Sequence, residues 1–200
     1  MEVVLIRHTR TAADRDLIAG WTDVPLAETF PSEAQAIFAH VGTKPDDCII
    51  TSPSQRCIAL AKLFGAPHTD ERFREVHFGS WEGRRWREIP ADELTPWMDD
   101  FVSNPPPGGE SSNDLATRVK SALASLDPSI ARFVIVAHAG VLRVAAAYFL
   151  GLPLEKMFNF ACEPGSILRA RKTPHGWQVL EWLSSKPTQT MSEHHPEVHP

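Results

Sequence analysis

Three short runs of β-branched and apolar residues constrain this chain more than anything else in it. Glu2 to Ile6, Cys48 to Thr51 and Phe133 to Ala137 are apolar without alternation, the pattern of strands covered on both faces. The second and third runs lead straight into helical segments. Ser52-Pro53-Ser54-Gln55 offers an N-cap serine, a proline at the first helical position and a glutamine placed for a capping box, followed by a helix through Arg56, Ile58, Leu60, Ala61 and Phe64 to Gly65. Val141 to Leu150 is helical, and Gly151-Leu152-Pro153 stops it. Strand followed by helix, twice, predicts parallel strands with crossover helices in an open α/β sheet.

A further helix is expected over Ser111 to Leu126, with its stripe at 115, 119, 122, 123 and 126. Ser166 to Lys172 and Trp177 to Trp182, joined by Thr173-Pro174-His175-Gly176, read as a β-hairpin. The length suits one domain, assigned to residues 1–183, with a polar Pro/His-rich tail over 184–200 expected to be disordered.

In sheets of this kind ligands collect at the carboxyl ends of the strands. Arg7 and His8 end the first run, Arg56 opens the helix after the second, and His138 ends the third. Any one of these alone reads as a solvated or hydrogen-bonded surface group. Together they are two guanidiniums and two imidazoles at one edge, and guanidiniums crowd together only around an anion; their planar forks match phosphate oxygens. Helix starts at Ser52 and at Ala139, just after His138, add backbone N–H groups to the same edge.

An imidazole in a phosphate pocket can donate hydrogen bonds, the use open to His138, or attack phosphorus, the use open to His8. Attack requires the neutral ring, and the neighbouring arginines are expected to press the His8 pKa below its usual value. A leaving alkoxide needs a proton, for which Glu75 is the first candidate and Glu82, Asp70 and Asp100 the weaker ones. Thr9, Thr11 and Thr22 are candidate phosphate-bonding hydroxyls, with turn formation the plainer alternative. Arg10, Arg84 and Arg143 are candidates for a basic rim. Gly108-Gly109 reads as a turn. Trp81, Trp86 and Trp97 are expected to be core, with at most one at the pocket.

Composition bounds the partners. Lys and Arg number 20 against 25 Asp and Glu, a formal charge of −5, which argues against a broad grip on nucleic acid or anionic membrane. The expected partner is a small-molecule phosphomonoester, and the oligomeric state is left open. No apolar run approaches the ~18 residues of a membrane helix. Cys48, Cys57 and Cys162 are odd in number and far apart, pointing to a reducing, cytoplasmic setting without a metal or cofactor.

The segments "LIRHTRT", "TSPSQRC", "REVHFGSWEG" and "IVAHAG" together resemble the histidine phosphatase superfamily. The resemblance spans roughly residues 2 to 182 and implies the phosphoglycerate mutase-like fold, a three-layer α/β/α arrangement with a mostly parallel central sheet. It further implies that His8 becomes phosphorylated, that Arg7, Arg56 and His138 hold the phosphoryl group, and that Glu75 serves as acid and then activates water. No metal takes part in that scheme. "GWTDVPL", "WEGRRWREIP", "WMDDF" and "NPPPGGES" are similar to the α-ribazole phosphatase branch, which acts in cobalamin assembly. That branch often carries Cys-Tyr where this chain has Ile18-Ala19. A broad-specificity phosphatase of sugar or nucleotide monophosphates is the first alternative; a phosphoglycerate mutase and a non-catalytic phospho-ligand module rank below it.

Overall fold

Six strands form one sheet in the computed structural model, which describes residues 1–184. They are β1 (Glu2–Arg7), β2 (Cys48–Thr51), β3 (His68–Thr69), β4 (Arg132–Ala137), β5 (Ile167–Thr173) and β6 (Gly176–Leu183), in the order β3-β2-β4-β1-β5-β6. The first four named in that order run parallel, and β5, the first strand of the β5–β6 hairpin, is antiparallel to β1. The expected tail falls, from residue 185 on, outside the described residues.

The non-alternating runs are covered on both faces because helices lie on both. Val3, Leu5, Phe133 and Ile135 pack under α4 (Ser112–Ala124) and α5 (Ala139–Leu150). Val4, Ile6, Val134 and Val136 point the other way, onto α1 (Phe30–Val41) and α2 (Gln55–Ala61). The result is the three-layer α/β/α architecture expected from the sequence. A third, smaller cluster of Ile18, Trp81, Ile89 and Trp97 forms a cap that includes α3 (Ala91–Asp99). No helix among the described residues is long and apolar enough to cross a membrane.

Two local expectations need correction. Ser52 and Pro53 do not start α2: the helix begins at Gln55, Ser54 stands at the cap without a side-chain bond, and Asp23 Oδ1 accepts from the Gln55 N–H at 3.0 Å. The helix also ends at Ala61, and the chain reaches Gly65 through turns. Ser52 instead continues the sheet, its N–H donating to the Val136 carbonyl at 2.9 Å, as His8 donates to Ala137 at 3.0 Å. That extension of the ladders holds His8, Ser52 and His138 side by side where β1, β2 and β4 end.

Candidate active site

His8 is 8 % exposed, His138 and Thr9 are 0 % exposed, and Arg56 is 2 % exposed. The two imidazoles meet edge to face with centroids 5.2 Å apart. Their tautomers follow from what each ring touches. His8 Nδ1 lies 2.7 Å from the Thr9 carbonyl, which can only accept, so Nδ1 carries the proton and Nε2 keeps its lone pair. Arg56 Nη2 is 3.4 Å from His138 Nδ1, and a guanidinium only donates, so His138 carries its proton on Nε2 and gives it to Ser52 Oγ at 2.8 Å.

The arginines are held mainly by carbonyls. Arg56 donates to Gly20 O at 2.7 Å and Thr22 O at 2.9 Å, with Asp23, half exposed, 3.7 Å away. Arg7 donates to the Cys162 carbonyl. Arg7 Nε and Thr9 Oγ1, on the two residues flanking His8, are buried without a hydrogen-bond partner among the described residues. Unpaired buried groups of this kind cost about 1–3 kcal/mol each. A phosphate oxygen can accept from either kind of group.

Burial presses the His8 pKa well below 6.5, with Arg7 and Arg56 adding to it and the Thr9 carbonyl opposing. The direction agrees with the expectation from sequence, but desolvation outranks the arginines. His138 is lowered for the same first reason, then by Arg56, His8 and Arg7. Both rings are therefore neutral at pH 7.

Glu75 lies at the start of α5. Its oxygens accept from the Gly140 N–H at 3.1 and 3.2 Å, and one also accepts from Val76 at 3.0 Å. The weaker acid candidates are engaged elsewhere. Asp70 pairs with Arg72, Asp100 takes the Ser103 N–H, and Glu82 is bonded to Trp21, Thr22 and Phe78. Thr22 Oγ1 donates to Glu82 at 2.7 Å and so is not a free phosphate donor. Thr11 forms a backbone bridge with Leu26. Of the rim arginines, Arg10 pairs with Glu33 and Arg84 donates to the Glu88 carbonyl.

A cavity of about 430 Å³ meets this centre at Glu75, Ala139 and Gly140 and extends past Arg143 to Phe78, Trp86, Trp97 and Phe158. Two of the three tryptophans thus reach the cavity, one more than expected, while Trp81 is core, its Nε1 donating to Glu93. Gly108-Gly109 is a turn, closed by Gly109 N–H to Pro106 O at 2.8 Å. Sequence reasoning missed Ser52 and Trp21; the indole Nε1 of Trp21 donates to the Glu75 carbonyl at 2.7 Å. "GWTD", the stretch whose Gly20 and Thr22 carbonyls accept from Arg56, was the available signal. Among the described residues, no three His, Cys, Asp or Glu side chains come together to hold a metal ion.

A cluster of arginines and neutral histidines at the carboxyl edge of such a sheet is the mark of a phosphate-handling enzyme. The chain belongs to the histidine phosphatase superfamily (branch 1), whose family model matches residues 3–185, and it is a phosphomonoester hydrolase. It is 28% identical over 197 residues to an adenosylcobalamin/α-ribazole phosphatase of Salmonella typhimurium, covering 93% of this chain and 97% of that one. A glucosyl-3-phosphoglycerate phosphatase of Mycobacterium tuberculosis is 29% identical over 171 residues, 76% of each chain. The crystal structure of the α-ribazole phosphatase from Shigella flexneri superposes with a TM-score of 0.82 at 26% identity, covering 96% of this chain and all of that one.

Proposed function

We propose that this enzyme hydrolyses α-ribazole 5′-phosphate through a phosphohistidine on His8. His8 Nε2 attacks phosphorus while the ester P–O bond breaks, and Glu75 gives its proton to the departing ribose oxygen. In the second half, the Glu75 carboxylate takes a proton from water, the water oxygen bonds to phosphorus, and the P–N bond breaks to restore neutral His8. Arg7 and Arg56, with the Thr9 hydroxyl and the Ala139 N–H, hold the phosphoryl oxygens as charge shifts among them, and His138 joins them by turning its Nε2–H from Ser52 Oγ to a phosphoryl oxygen. No step in this scheme uses a metal. The chemistry rests above all on the free Nε2 of a neutral His8 under the field of Arg7, which has no carboxylate partner among the described residues, and of Arg56, whose nearest carboxylate is the half-exposed Asp23 at 3.7 Å.

The choice of substrate rests on the cavity. Phe78, Trp86, Trp97 and Phe158 beyond Glu75 suit a planar aromatic base carried on the phosphorylated sugar. A broad-specificity sugar or nucleotide phosphatase is the second reading, favoured by Arg15 and Arg143 in the same wall. The three free cysteines support a cytoplasmic site of action.

The test is phosphate release from α-ribazole 5′-phosphate beside a panel of sugar and nucleotide monophosphates, with His8→Ala as blank. A strong preference for α-ribazole phosphate, lost in the blank, is expected. Equal rates across the panel would sink the substrate assignment, and unchanged activity in His8→Ala would sink the mechanism.

A further inference from the structure

The Glu82 side chain is only 11 % exposed, and among the described residues no Lys or Arg pairs with it; His77 Nε2 is 3.8 Å away. Its oxygens are instead filled mainly by donors from one short loop. Oε1 accepts from the Trp21 N–H at 2.9 Å and from Phe78 N–H at 3.1 Å. Oε2 accepts from the Thr22 N–H at 2.9 Å and the Thr22 hydroxyl at 2.7 Å. On its other side the same loop gives its carbonyls to Arg56, Gly20 O to Nη2 and Thr22 O to Nη1.

Gly20 O and the Trp21 N–H belong to one peptide group. That group is planar and trans, so its oxygen and its hydrogen point in opposite directions. A guanidinium at one end and a carboxylate at the other polarise it in the same sense, which strengthens both hydrogen bonds. The chain has made room for this: Gly20 has φ +50°, and a Cβ there would lie 2.3 Å from Glu82 Oε1. Glu82 is also tied to the segment that carries Glu75, through Phe78, while Trp21 Nε1 holds the Glu75 carbonyl.

We propose that Glu82 is a positioning residue for the reaction: through the Gly20–Trp21 peptide it fixes the Arg56 guanidinium, and through Phe78 and Trp21 it fixes how far Arg56 stands from Glu75. Glu82 itself touches no substrate. The inference rests on the reading of Arg56 as a phosphate ligand given above, and the experiment separates the two.

A double-mutant cycle on inorganic phosphate as a competitive inhibitor does this, with Arg56→Ala, Glu82→Gln and the pair. The glutamine side chain would turn an amide NH₂ toward backbone N–H groups, so Glu82→Gln is expected to raise the phosphate inhibition constant about tenfold, the size of a lost charge-assisted hydrogen bond. In the Arg56→Ala background the same change is expected to do almost nothing, because its target is gone. Small chromogenic esters are expected to lose affinity as much as large substrates do. Effects that multiply across the cycle, or a folded Glu82→Gln protein with unchanged phosphate affinity, would overturn the positioning role. An Arg56→Ala enzyme with unchanged phosphate affinity would instead overturn the phosphate-ligand reading. Should Glu82→Gln not fold, Thr22→Val removes one donor and leaves the backbone intact. It is expected to raise the constant two- to threefold (about 0.4–0.7 kcal/mol by RT ln of that ratio), and no change there would overturn the proposal as well.

Discussion

His8 and His138 are neutral because the fold denies them water, and that has a measurable cost. In both, the native pKa lies below 6.5, with burial the largest cause. Above about pH 6.5 the native and unfolded chains both hold neutral rings, and pH has no effect through these groups. As pH falls below that value the unfolded chain takes up protons that the native chain refuses, so stability is lost until the depressed native values are reached. The slope is up to about 1.4 kcal/mol per pH unit for each histidine. Urea unfolding at pH 7.5 and 5.5 checks it: the wild type is expected to lose stability at the lower pH, and His138→Asn to lose less. Equal losses in the two proteins would refute the account. At this scale the sequence shows the main groups, since Arg7, His8, Arg56 and His138 all sit at strand or helix ends that can be read in advance, and Glu75 lies in a motif that can be recognised. Ser52 misleads because a Ser-Pro pair before a helix resembles a cap, and only the extension of the β2 ladder brings its hydroxyl to His138.

Elements explain why Glu75, the proposed acid, sits where it does. Glu75 rests on the Gly140 N–H in the first turn of α5, and the helix can come that close only because residue 140 is glycine: a Cβ there would stand 2.4 Å from Glu75 Oε1 and 3.1 Å from Leu115 Cδ2. Alanine is a better helix former than glycine by about 1 kcal/mol. Gly140→Ala is therefore expected to leave the unfolding midpoint close to wild type while kcat falls at least about tenfold, since a displacement near 1 Å in a catalytic group is enough for that. Steady-state kinetics beside urea unfolding measure both, and full activity in the variant would show that Glu75 needs no such close seat. β1, β2, β4, α4, α5 and the hairpin are legible because their apolar patterns are strong and their stop signals clear, whereas β3, the exposed pair His68–Thr69, carries no apolar pattern. Two helices are not legible either. In α1 the stripe of Phe30, Ala34, Ile37 and Val41 is present but diluted by polar residues after Pro31. In α3, Pro96 lies inside the helix, and an interior proline ordinarily argues against one.

On the scale of the whole molecule, the two ends of the sheet differ in how they pair their arginines with carboxylates. At the amino end of β4, Arg132 is 3 % exposed and is matched by Asp47 at 3.2 Å and Glu2 at 3.6 Å, with further bonds to Val41 and Gly42 carbonyls. At the carboxyl end, the half-buried Arg7 has a carbonyl but no carboxylate partner among the described residues; the Nε of both arginines lacks a hydrogen bond there. The first arrangement is what a fold selected for stability makes of a buried guanidinium; the second leaves positive charge uncompensated until an anion arrives. Removing Arg132 strands the Asp47 carboxylate, so Arg132→Met is expected to cost about 3–5 kcal/mol with kcat/KM of the surviving enzyme near wild type. Removing Arg7 relieves repulsion with Arg56, so Arg7→Met is expected to be neutral or stabilising while activity falls at least about a hundredfold, the stability–activity trade typical of a preorganised site. Inorganic phosphate sharpens the contrast, because a ligand that binds only the native state raises its stability with concentration. It should raise the unfolding midpoint of wild type and Arg132→Met alike, and hardly move that of Arg7→Met. If Arg7→Met unfolded as readily as Arg132→Met, and phosphate raised its midpoint as much as that of wild type, the carboxyl end would be one more structural ion site and the pocket at His8 would have to be explained some other way.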